Sequence, residues 1–255
     1  MIVLKFLKYS AAVIPLTIGI TACDQDNSTK QLLSESAATI TSNTSTRSGA
    51  HNQSDPHSQL SAEKRVLVAL QHLKEGRRQL ALTVLDESIQ QFPNNSELLS
   101  VRASILLEQG NATLALNDLE KAVQLAPEDL VLRINRAQAY RSFGRIREAL
   151  DDLNFAIKKQ PALVSALFNR GAIYFSSGDL NKALTDFNAC IKAQPLQAAP
   201  YFNRAAVYEA MNKKQLAIAD LKHFIELSSS DSWKQTAQKL LDQWQGKKTK
   251  PEKKS

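Results

Sequence analysis

Two sets of residues in this 255-residue chain have types and spacings suited to specific chemistry, one to structural ion pairing and one to backbone recognition, and neither to catalysis. Arg102, Arg136, Arg170 and Arg204 recur at an interval of 34, as do Asp118, Asp152, Asp186 and Asp220, each aspartate 16 residues after its arginine. A guanidinium and a carboxylate that keep one spacing four times are matched to form an ion pair wherever the fold brings them together. Asn135, Asn169 and Asn203 repeat with the same step. A carboxamide donates to a carbonyl and accepts from an amide, so a ladder of them suits the backbone of one extended peptide. The groups of a catalytic or metal centre are not arranged for one. None of His51, His57, His72 and His223 pairs with a cysteine or carboxylate at metal-ligand spacing. There is no P-loop, no Gly-x-Ser-x-Gly and no cysteine with a histidine in the same element. No enzyme activity, metal or cofactor is therefore expected.

The interval of 34 belongs to the whole middle of the chain. Gly76, Gly110, Gly144 and Gly178 keep it, as do Pro93, Pro127, Pro161 and Pro195, and Ala81, Ala115, Ala149, Ala183 and Ala217. These four glycines and four prolines are half of the eight of each in the chain, so composition does not explain them. A fifth copy carries Asn212 for the glycine and Ser229 for the proline. Units of 34 therefore run 62–95, 96–129, 130–163, 164–197 and 198–231. Each holds an apolar stretch, a Gly or Asn that accepts left-handed backbone, and a second apolar stretch, closed in the first four units by a proline that cannot continue a helix. In the fourth unit Leu180, Ala183, Leu184, Phe187 and Ile191 follow the period of one helix face. Each unit is predicted to be a helix hairpin.

Within this frame the arginines occupy position seven and the aspartates position twenty-three of units two to five. In an antiparallel hairpin turning near position sixteen, these two positions lie within a turn of each other. The first unit carries Val68 and Val84 there, so the two positions change together. We expect four structural ion pairs, each leaving a buried charge worth about 3 kcal/mol if one partner is removed.

The small residue at Ala69, Ala103, Ala137, Gly171 and Ala205, the tyrosines three further on (Tyr140, Tyr174, Tyr208), the Gly turn, the second-helix Ala and the closing Pro resemble the tetratricopeptide repeat family over 62–231. Departures from the family pattern are Tyr201 as the sole aromatic at position four and Phe224 in place of a small residue. The resemblance implies an all-α fold, a right-handed solenoid of five hairpins with first helices lining the concave side. Residues 232–245 carry Trp233, Ala237, Leu240, Leu241 and Trp244 on one face, with Asp231 as a candidate N-cap. Two readings of this segment stand open, a capping helix for the array and an interfacial membrane helix.

The resemblance also implies that positions five, six, nine and twelve of the first helices face the groove. These are Ile134, Phe168 and Phe202; Asn135, Asn169 and Asn203; Gln138, Ala172 and Ala206; and Arg141, Phe175 and Glu209. Asparagine ladders hold peptide backbones in some superhelical repeat proteins, and aromatic residues there would supply pockets for apolar anchors. The alternative is that the asparagines only support packing. A clamp for chaperone tails requires Lys and Arg where Ile134, Phe168 and Phe202 stand, and is not expected.

The chain opens with Lys5 and Lys8, an apolar run of about a dozen residues, and Ile20, Thr21, Ala22 and Cys23. The run is too short to span a bilayer, which takes about 20 apolar residues, and reads as a signal peptide over 1–22. Its last four residues resemble the lipobox of bacterial lipoproteins, which implies cleavage before Cys23 and acylation of that residue, palmitate included; ordinary cleavage leaving a free Cys23 is the alternative. Asp24 resembles a signal for retention in the inner membrane. Residues 24–60, in which 16 of 37 are Ser, Thr or Asn, are too polar to order themselves and read as a tether from Cys23 with a reach of about 33 Å. With Cys23 lipidated, Cys190 is left alone at a position that is Ala122 and Ala156 in sister units, so no disulfide framework is expected.

The formal charge of +7 is local: Lys5 and Lys8 leave with the signal, and residues 246–255 carry +4. The remainder is near neutral, so the overall basic balance gives no argument for nucleic acid, and the export expected from the signal peptide argues against that partner. The expected protein is a lipid-anchored scaffold of the bacterial envelope, facing the periplasm and holding a partner protein or peptide in a concave groove. A structural accessory subunit bound through its convex face is the second reading.

Overall fold

A computed structural model describes residues 60–246. The signal peptide 1–22, lipidated Cys23, most of the tether and the basic tail after Gly246 lie outside the described residues. Eleven α-helices and no strand occur among those described: α1 (Ala62–Lys74), α2 (Arg78–Gln91), α3 (Ser96–Glu108), α4 (Ala112–Leu125), α5 (Leu130–Ser142), α6 (Ile146–Lys159), α7 (Val164–Ser176), α8 (Leu180–Ala193), α9 (Ala198–Ala210), α10 (Lys214–Leu227) and α11 (Asp231–Gln245). They divide into two compact units between Phe143 and Gly144. The first contains hairpins α1–α2 and α3–α4 and helix α5; the second contains α6, hairpins α7–α8 and α9–α10, and α11.

The tight turns inside hairpins α1–α2, α3–α4 and α7–α8 are made by a glycine in the left-handed region, at 76, 110 and 178, and Gly144 before α6 has the same conformation. Asn212 takes that conformation, at φ 59°, in the fifth copy. Asparagine tolerates it better than other side chains, which is why the copy survives without its glycine. At Gly178 the amide donates to Phe175 O and the next amide to Tyr174 O, meeting carbonyls that α7 leaves unpaired. The first helices of the units start on side-chain caps where the sequence has one: Ser61, Asn95 and Asp129 accept from amides of α1, α3 and α5. In α11 the cap is Ser230, which accepts from Trp233 N, and not Asp231. Asp231 is the first helical residue, where its charge faces the positive end of the helix dipole.

In the first unit Ala69, Ala81, Ala103 and Ala115 are buried where helices approach closely, and Leu85, Leu98, Ile105 and Leu119 fill the space between them. The second unit is packed with rings. Phe168 meets Phe187 edge to face at 5.7 Å, and Phe202 meets Phe224 at 5.1 Å and Trp233 at 5.7 Å. Helix α11 buries Ala237, Leu241 and Trp244 in this core, so its apolar face is covered by protein, as a capping helix requires. No helix among the described residues is long and apolar enough to cross a membrane.

Gly171 is the one first-helix position without a Cβ, and the reason lies opposite it. A Cβ there would stand 3.0 Å from Phe187 Cε1 and 3.2 Å from Asp186 Cβ. Sister hairpins pair alanine with leucine at these two positions, as in Ala103 with Leu119 and Ala205 with Leu221; this one pairs glycine with phenylalanine.

Candidate functional site

Arg102, Arg170 and Arg204, at position seven, are held from both sides. Arg102 donates from Nε and Nη2 to the two carboxylate oxygens of Asp118, both at 2.7 Å. Arg170 does the same to Asp186 at 2.9 and 2.7 Å, and Arg204 to Asp220 at 2.7 Å for both bonds. In each, the remaining Nη1 reaches the second helix of the preceding hairpin: Asp86 at 2.8 Å, Asn154 at 2.8 Å and Asn188 at 2.7 Å. Each guanidinium thus joins two successive hairpins as well as the helices of one. Tyrosines line them: the Arg170 guanidinium lies 5.8 Å from the Tyr174 ring, and that of Arg204 5.6 Å from both Tyr201 and Tyr208. Arg136 belongs to the first unit, over Tyr140, and Asp152 is buried in the second. Val68 and Val84 in the first hairpin are buried in the core instead.

The Nη1 acceptors escaped the sequence reading although their signal is as regular as the others. Asp86, Asn154 and Asn188 lie 16 residues before Arg102, Arg170 and Arg204, as the paired aspartates lie 16 after. Buried Arg65 was missed as well; its guanidinium donates to Leu60 O, Ser88 Oγ and Gln91 Oε1.

The expected groove residues divide by depth. Ile134, Phe168 and Phe202 are core residues, Phe168 at 1 % exposure, and offer no pocket to a ligand. Position five points into the packing between the two helices of its own hairpin, where Phe168 meets Phe187 and Phe202 meets Phe224, which corrects their placement on the binding face. Asn135 is buried on α5 in the first unit, with Gln138 half-buried and Arg141 exposed on the same helix. In the second unit Ala172 is buried, while Phe175, Ala206 and Glu209 are half-buried and reach the surface.

The two asparagines of the second unit differ. Asn169 Nδ2 donates to Ser165 O one turn back at 2.8 Å. Asn203, 3 % exposed, has an Nδ2 with no hydrogen-bond partner. On the same helix, Glu209 Oε2 is buried and equally unmet. Burial pushes the Glu209 carboxyl above the usual carboxylate range, and nearby Lys214 draws it partly back. Cys190 is not a nucleophile: burial and the neighbouring Asp186 charge push its thiol up to about 12, and Sγ lies 3.6 Å from Val164 O. Among the described residues no group of three His, Cys, Asp or Glu side chains is placed to hold a metal ion.

Comparisons with known proteins place this geometry. A model described as ChAPs (Chs5p-Arf1p-binding proteins) matches residues 21–158, more than half of the chain. Two tetratricopeptide repeat models match 134–198 and 198–231. No curated protein matches the sequence. Among solved structures, a tetratricopeptide repeat protein from Parabacteroides merdae is 19% identical with a TM-score of 0.68, over 87% of this chain and 88% of that one. A thermophilic tetratricopeptide repeat protein of Thermus thermophilus is 20% identical with a TM-score of 0.61, over 72% of this chain and 99% of that one. YrrB, described as a tetratricopeptide repeat protein with an unusual peptide-binding site, is 18% identical with a TM-score of 0.53, over 72% and 94%. The hairpins described above are therefore tetratricopeptide repeats, a fold of protein-interaction scaffolds.

Proposed function

We infer that this chain, which belongs to the ChAPs (Chs5p-Arf1p-binding protein) family and is built of tetratricopeptide repeats, is a scaffold that holds an extended segment of a partner protein on the first-helix face of the unit 144–246. The observation that carries this reading is Asn203, whose buried carboxamide keeps an unmet donor while the equivalent Asn169 spends its own on its helix. A folded chain retains such a group at a cost, and an incoming backbone carbonyl would remove that cost. Half-buried Phe175 and Ala206, on the first helices α7 and α9, supply apolar surface on the same face. The chain does this as a lipoprotein: acylated Cys23 anchors it to the bacterial envelope on the periplasmic side, and residues 24–60 give the array its reach.

Two measurements test the reading. A photocrosslinking residue at Ala206 should trap a partner, and Asn203→Ala with Phe175→Ala should abolish trapping while helicity by circular dichroism stays unchanged. Phe168 is unsuitable for this purpose because its removal opens the core. For the anchor, labelled palmitate should enter the chain and be lost in Cys23→Ser; a chain that takes up no label and stays out of the membrane fraction would end that part of the proposal.

A second reading has its own observation. Leu80 and Leu114, at the same position of successive second helices α2 and α4, are 49 % and 57 % exposed. A partner seated on that face would be lost on Leu80→Asp with Leu114→Asp and retained in the Asn203 variant.

A further inference from the structure

We propose that α9 carries a subsite for a basic extended peptide, in which Asn203 Nδ2 donates to a backbone carbonyl and Glu209 receives a lysine or arginine side chain of the same segment. The inference rests on the peptide-scaffold reading above and narrows its partner to one class.

Unmet buried polar atoms concentrate on this helix: Asn203 Nδ2, Glu209 Oε2 and, at its N-cap, Gln197 Oε1. The two that matter are opposite in kind, a neutral donor and a carboxylate acceptor. A neutral peptide carbonyl satisfies the first. The second, buried and close to no hydrogen-bond donor, calls for a cation, because charge-assisted bonds offset the desolvation of a carboxylate better than neutral ones. Lys214, at the start of α10, acts on Glu209 electrostatically but leaves Oε2 without a hydrogen bond.

The spacing fits one segment. Six residues of helix separate Asn203 from Glu209, about 9 Å along the axis at 1.5 Å per residue. An extended peptide covers that in about three residues, and a long basic side chain bridges part of it. Phe175, at the position of α7 that corresponds to Glu209 in α9, and Ala206, midway between the two polar groups, offer apolar surface for the methylene stem of lysine or arginine. The corresponding residue of α5 is Arg141, so among the position-twelve residues of α5, α7 and α9 the acidic one is on the helix of the unmet asparagine.

A phage-displayed dodecapeptide library panned on the immobilised full chain tests this. We expect enriched sequences to share a lysine or arginine. A synthetic copy of one should lose at least tenfold in affinity, by fluorescence anisotropy, on Glu209→Gln or on replacing that basic residue by norleucine. The two losses should not add, and Asn203→Ala should weaken binding to either chain. Binders that depend on Asn203 and Phe175 but show no basic residue and ignore Glu209→Gln overturn this inference and leave the scaffold reading standing. Selected peptides indifferent to Asn203, Phe175 and Glu209 together overturn both. A synthetic peptide of residues 246–255, GKKTKPEKKS, serves as a third probe: saturable binding of that peptide, lost in Glu209→Gln, would assign the site to the chain's own tail and overturn the claim for a separate partner.

Discussion

Arg170 and Asp186, on the two helices of one hairpin, are joined by two parallel hydrogen bonds of 2.9 and 2.7 Å, with the aspartate 2 % exposed. The same fork binds Arg102 to Asp118 and Arg204 to Asp220, and the third donor of each arginine fastens the hairpin before it.

The first hairpin is a natural control for the value of this pair, because Val68 and Val84 replace both members. Arg170→Val alone strands the Asp186 carboxylate and should cost about 3–5 kcal/mol. Arg170→Val with Asp186→Val should recover most of that loss, since two apolar side chains at these positions pack well in the first hairpin. Urea unfolding of the two variants measures the difference, and equal losses would show that the pair is not what the valines replace.

Gly171 and Phe187 predict a second compensation. Gly171→Ala gains about 1 kcal/mol of helix propensity but presses a Cβ against a buried ring, an overpacking that costs about 1–3 kcal/mol. The single variant should be less stable than the parent. Adding Phe187→Leu restores the alanine and leucine pairing of the sister hairpins, and the double variant should be more stable than Gly171→Ala alone. Thermal unfolding by circular dichroism reads the order.

Glu209 should lower stability at neutral pH. Its carboxyl is raised in the folded chain, so the folded state holds the proton more tightly than the unfolded state and this group's contribution falls as pH rises through the carboxylate range. Glu209→Gln should therefore raise the melting temperature at pH 7, with the advantage shrinking as the pH is lowered towards 4. A variant no more stable than the parent at pH 7 would mean that the carboxylate is already satisfied, which would also remove the ground for a basic ligand.

Cys190 should be silent to thiol reagents. With its thiol raised to about 12, a chain carrying Cys23→Ser should show no reaction with Ellman's reagent at pH 8 while folded and one thiol per chain in denaturant. Rapid reaction of the folded chain would indicate that the α7–α8 hairpin opens.

The period of 34 residues was enough to place ten helices and their turns. Helix periodicity, a left-handed turn residue and a proline stop all act within a few residues of themselves. The pairing of Arg102 with Asp118, Arg170 with Asp186 and Arg204 with Asp220 was legible for the same reason, because a repeat that changes two positions together reports their contact. Which side of each first helix is buried was decided only by the tertiary structure. Positions five and six are neighbours about 100° apart on a helix, and their depth depends on the helices packed alongside. That packing took Phe168 and Phe202 into the core. It also set Asn169 and Asn203 apart, one satisfied by a carbonyl of its own helix and one left with a buried donor, a difference between identical residue types that no local pattern encodes.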